Sequence, residues 1–77
     1  DAEAARELAR MDLDLAREQV SNLLAQVEEG RASLRQLEQA RFQEQERWIL
    51  YYDAVHDLEL ARVELMRRTH SLLASLR

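Results

Sequence analysis

A single glycine, Gly30, stands in a chain of 77 residues that contains no proline. Glycine and proline are the residues that most readily end a helix, so this scarcity leaves one place where the chain can turn. The stretch around it reads Val27-Glu28-Glu29-Gly30-Arg31-Ala32-Ser33-Leu34-Arg35-Gln36. Gly30 suits the left-handed position just past a helix C-terminus, where a Cβ would clash. Ser33 and Gln36 then form an S-x-x-Q capping box, in which each side chain satisfies the other residue's free amide at a helix start. A stop signal followed at once by a start signal predicts a hairpin: helix 1 over about residues 1–29, a turn over 30–33, and helix 2 over about 34–77. Two features oppose the turn. Glu28 and Glu29 would sit at a helix C-terminus, where the macrodipole disfavours acids by ~0.3–1 kcal/mol, and one mid-helix glycine costs only ~1 kcal/mol.

Composition agrees with helices throughout. The residues are 47% apolar and 34% charged, with no cysteine and only four aromatic side chains (Phe 1, Trp 1, Tyr 2), the profile of long helices and coiled coils. The net charge of -4 argues against a nucleic-acid or anionic-membrane surface, which needs a basic stripe to displace counterions. The longest uninterrupted apolar run, Trp48 to Tyr52, is far below the roughly 18 residues of a membrane span. With neither disulfide nor metal motif to staple it, a chain this short is expected to need partners to cover its apolar faces.

Folding the arms back on each other tests the hairpin independently. If facing residues have numbers that sum to 63, Leu15 meets Trp48, Met11 meets Tyr52, Leu8 meets Val55 and Ala5 meets Leu58, in steps of 3 and 4 that match a packed seam. The same register sets Arg17 against Glu46, Arg10 against Asp53 and Arg6 against Asp57. A sum of 64 would instead set Arg17 against Arg47, Glu18 against Glu46 and Glu7 against Asp57. The expected seam is therefore Leu8, Met11, Leu15, Trp48, Tyr52 and Val55. The expected fold is all-α, an antiparallel two-helix coiled-coil hairpin with unequal arms of roughly 43 and 66 Å at 1.5 Å per residue. The longer arm overhangs from Val63 onward with Leu65, Met66, Leu72, Leu73 and Leu76 uncovered, which points to membership of a larger helical barrel or bundle.

Few residues suggest chemistry. Asp53, His56 and Asp57 share one helical face, a spacing that could hold a metal or move protons, but acids and an imidazole on a solvated arm without a pocket read more simply as a surface. The Trp48, Tyr51 and Tyr52 cluster reads as core, with an exposed sticky patch as the other option. Nothing resembles a catalytic nucleophile with its base, a phosphate loop or a cysteine-histidine metal motif, and two helices offer no concave site to exclude water. An enzyme is not expected, and neither is a cofactor.

Residues 15 to 76 resemble the C-terminal hairpin of the TolC-type outer-membrane efflux proteins. The resemblance rests on Ala16-Arg17-Glu18, on Gly30-Arg31-Ala32-Ser33-Leu34 with Leu37 and Ala40 following, on Leu60-Ala61-Arg62-Val63-Glu64-Leu65, and on Thr69 to Leu72. Val27, Gln36 and His70 depart from that family's pattern. The resemblance implies a homotrimer whose hairpins line a periplasmic tunnel, with the membrane-spanning part outside these residues and the turn facing a periplasmic adapter protein. In that setting Gly30, Arg31, Ser33, Leu34 and Arg35 form the docking tip, Leu34 as apolar anchor and Arg31 and Arg35 as polar contacts. Alternatively Ser33 only caps, Arg31 is solvated and Leu34 packs in the seam. Other readings of the whole chain are the helical hairpin of such an adapter and a scaffolding coiled coil.

Overall fold

The computed structural model describes residues 1–76, and within them the chain forms two helices joined by a tight turn, with no strand. Helix α1 runs Ala2–Glu28 and helix α2 runs Leu34–Ser75. The hairpin is a rod of 72 × 14 × 13 Å, its length set by α2. Asp1 caps α1, its Oδ1 accepting from the Ala4 amide at 2.8 Å.

The turn is closed by hydrogen bonds that lie within a few residues of it. The Gly30 amide donates to the Val27 carbonyl at 3.0 Å and the Arg31 amide donates to the Gln26 carbonyl at 2.7 Å. These two bonds make a Schellman motif. Gly30 has φ 74, the left-handed region that glycine enters without steric cost. Ser33 then opens α2 with both halves of the capping box in place: its Oγ accepts from the Gln36 amide at 3.2 Å, and the Gln36 Oε1 accepts from the Ser33 amide at 2.9 Å. The acids at the end of α1 find a local counter-charge in Arg31, whose guanidinium pairs with Glu29.

The core is narrow. Leu13 and Ala16 of α1 and Leu37, Ala40 and Leu58 of α2 are its buried members. Half-buried positions extend it into two stripes. On α1 they follow Ala2, Arg6, Ala9, Leu13, Ala16, Val20, Leu23 and Val27, strictly alternating steps of four and three, the heptad spacing of a coiled-coil seam. On α2 they follow Leu37, Ala40, Glu44, Trp48, Tyr51, Val55 and Leu58. Two consecutive four-residue steps there, Ala40 to Glu44 to Trp48, make a local eleven-residue spacing, the kind that locally interrupts a heptad pattern.

This seam corrects the one expected from sequence. Leu8, Met11 and Leu15 are 61%, 56% and 64% exposed, and Tyr52 is also exposed; only Trp48 and Val55 of the expected set lie on the inner stripe, half-buried. Paired in order, the stripes match Val27 with Leu37, Val20 with Glu44, Ala16 with Trp48, Leu13 with Tyr51 and Ala9 with Val55. Each of these pairs sums to 64, with Leu23 and Ala40 between the first two summing to 63, so the order of the stripes brings Ala16 and not Leu15 opposite Trp48. One residue is about 100° of helix, and with Ala9, Leu13 and Ala16 inward in place of Leu8, Met11 and Leu15, α1 is turned by about 130° from the expected face. Two physical reasons favour the observed face. It alone continues to the tip through Val20, Leu23 and Val27, where the turn forces α1 onto Leu37 and Ala40. It also places the small, buried Ala16 at the level of the bulky, half-buried Trp48, a pairing of small with large that fills a seam evenly.

The expected inter-arm charge pairs do not close: among the described residues the ion pairs are Arg31 with Glu29 and, one turn apart on α2, Arg68 with Glu64 at 3.5 Å. Arg17, Arg47, Glu18, Glu46, Glu7 and Asp57 are all exposed, so the like-charge oppositions that spoke against this register are screened by water and cost no more than tenths of a kcal/mol.

Candidate functional site

The tip is a fixed backbone carrying free side chains. The Schellman bonds and the capping box hold residues 26 to 37 in one geometry, and both functional groups of Ser33 are engaged with Gln36. Ser33 is thereby a structural cap. Leu34, by contrast, is 67% exposed at the first position of α2, out of phase with the seam that begins at Leu37. The alternative in which Leu34 packs inside the hairpin is therefore not what the chain adopts. Arg35 is exposed, and Arg31 is exposed beside its partner Glu29. Gly30 itself has open space around it: a Cβ built there meets nothing within 4 Å.

Sequence reasoning passed over Phe42. It is exposed, and with Arg35, Glu38, Gln39, Gln43 and Glu46 it lines a shallow depression on α2 two turns from the tip. The signal was present: the chain's one phenylalanine falls between the inward steps at Ala40 and Glu44 and so cannot point at α1.

Farther along, the aromatic cluster lies between core and surface. Trp48 stacks on Tyr52 with ring centroids 5.5 Å apart and meets Tyr51 edge-on at 6.3 Å. The Arg17 guanidinium sits 5.6 Å from the Trp48 ring centre, a cation–π contact. Trp48 and Tyr51 thus line the seam while Tyr52 faces solvent. His56 and its neighbours Asp53 and Asp57 are exposed on α2. Among the described residues no group of three or more His, Asp or Glu side chains converges where a metal could bind, and no helix is long and apolar enough to cross a membrane.

On one flank of the hairpin, away from the tip, α1 and α2 leave a groove of about 560 Å³ floored by Ala5, Leu8, Ala9, Leu50 and Ala54 and bordered by Asp1, Asp12, Asp53, Asp57 and Arg47. Beyond Leu58 every described residue of α2 is exposed. No family model, no curated protein and no solved structure matches this chain.

Proposed function

We propose that this hairpin is a wall segment of an outer-membrane efflux channel, periplasmic and trimeric in the parent protein, whose tip docks a periplasmic adapter. The observation that carries this reading is Leu34: a large apolar side chain, 67% exposed, on a backbone that its own hydrogen bonds already fix. Such a residue loses little entropy on binding, because the segment that bears it is ordered beforehand. Arg31 and Arg35 beside it offer donors for a polar rim. The outward Leu8, Met11 and Leu15 on α1, and Phe42 and Ile49 on α2, also suit a wall, where each helix must meet neighbours on more than one side. The resemblance at Gly30 to Leu34 supplies the identity of the partner.

The test is Leu34→Asp in the full-length protein, read by efflux and by cross-linking to the adapter. An acid in the first turn of α2 is favoured by the macrodipole, so folding should be unaffected, whereas burying an unpaired carboxylate in the docked state costs on the order of 1–3 kcal/mol or more. Loss of cross-linking and export at normal protein levels is expected. Leu13→Asp, in the buried seam, should lose function only through lost protein. Unchanged efflux and cross-linking in Leu34→Asp would refute the docking role and leave a scaffolding coiled coil as the better reading.

A further inference from the structure

The two-helix body, residues 6–24 of α1 and 41–57 of α2, keeps its charges on separate sides. The Arg17 guanidinium lies 5.6 Å from the centre of the Trp48 ring, and Trp48 stacks on Tyr52, which sets these three residues on one flank. Arg10 stands two turns before Arg17, Arg6 one turn before that, and Arg41 two turns before Trp48, so all of them follow this flank at helical spacing. Leu24, also exposed, continues it two turns beyond Arg17. Over this length the flank carries arginines and no acid.

The outward face of α1 is the converse. Around the exposed Leu8, Met11 and Leu15, Glu7 lies one turn before Met11, Asp12 one turn from both Leu8 and Leu15, and Glu18 one turn beyond Leu15. No basic residue of α1 joins them, since Arg6, Arg10 and Arg17 follow the other flank; Asp14 stands on the boundary between the two. The groove alongside adds Asp53 and Asp57 against Arg47. The chain does not neutralise these charges itself, because among the described residues the ion pairs are Arg31 with Glu29 and Arg68 with Glu64.

The two sides match in position as well as in sign. The arginines of α1 run from residue 6 to 17 and the acids from 7 to 18, so both rows occupy one level of the rod, about 17 Å long at 1.5 Å per residue. In the seam register the exposed Tyr52 is level with Asp12, midway between Leu8 and Leu15. A second copy set sideways, pointing the same way and without a slide along the axis, therefore brings arginines to acids and an aromatic ring to an apolar stripe. Acidic face on acidic face, or arginine flank on arginine flank, would set like charges together.

We infer that copies of this chain associate side by side and parallel, the outward acidic and apolar face of α1 in one copy meeting the arginine and aromatic flank of the next. The contact is heterologous: a pair of copies still presents one free face of each kind, so assembly passes beyond two chains. It covers Leu8, Met11 and Leu15 with a second copy and does not rest on adapter docking, because Leu34 takes no part in it.

Charge reversal tests it. Glu7→Arg/Glu18→Arg makes the outward face basic, and Arg10→Glu/Arg41→Glu makes the flank acidic while sparing the contact of Arg17 with Trp48; all four positions are exposed. Sedimentation of the parent chain should show species larger than a dimer that grow with concentration. Each variant alone should associate more weakly by about tenfold or more, with helicity by circular dichroism unchanged. An equimolar mixture of the two should regain assembly, since the reversed face of one then meets the reversed flank of the other and the unreversed pair also matches. The combined four-residue variant should regain it too, and Leu34→Asp should associate as the parent does. Association of either double variant at the parent's strength would overturn the inference. So would weakened variants that the mixture or the combined variant fails to rescue, a parent chain that stays monomeric or stops at two, or loss of association in Leu34→Asp, which would place the contact at the tip.

Discussion

Leu13→Ala and Leu15→Ala are the same chemical change two residues apart, and the seam assigns them opposite consequences. Leu13 retains 3% of its surface accessible and Leu15 retains 64%. Truncating a buried leucine removes its transfer free energy and leaves a void, together worth about 2–5 kcal/mol. The seam is one layer deep and bordered by half-buried residues, so its walls can partly close over the gap. The lower part of that range, about 2–3 kcal/mol, is expected. For a chain of this size each kcal/mol shifts the midpoint by about 4–8 °C, which gives a fall of about 10–20 °C for Leu13→Ala. Leu15→Ala should stay within about 0.5 kcal/mol, as exposed substitutions do. Thermal and urea melts followed by far-ultraviolet circular dichroism, at one fixed low protein concentration, separate the two, because a contribution from association would grow with concentration. Equal costs, or a larger one at Leu15, would refute the rotated seam and restore Leu15 to a position against Trp48.

The turn offers two further measurements. Gly30→Ala should destabilise the hairpin by about 1–2 kcal/mol from the left-handed backbone alone, since a Cβ at Gly30 meets nothing within 4 Å; Gly30→Asn should cost less in the same urea titration, and no loss with alanine would mean that φ relaxes. Ser33→Ala removes the acceptor for the Gln36 amide and should cost about 0.5–2 kcal/mol, with the earliest loss of protection in hydrogen exchange confined to the first turn of α2.

The sequence by itself settled where the chain turns and that a helix lies on either side of the turn. The reason is that the determinants are local: a left-handed residue, two carbonyls behind it and a reciprocal cap ahead of it, all within residues 26 to 37. The solvent-facing position of Leu34 was open on the sequence, because the same residue could begin the seam or precede it. Which face of α1 is covered was not legible either. That helix carries two apolar stripes, one through Leu8, Met11 and Leu15 and one through Ala9, Leu13 and Ala16, both at heptad spacing and about 130° apart. Opposing charges appeared to choose the first, but exposed pairs carry too little energy to set a register. The choice fell to tertiary structure: the closed turn lays Val27, Leu23 and Val20 along the face of Leu37 and Ala40, and α1 carries that face on to Ala16 and Leu13, which are buried where Leu15 is not.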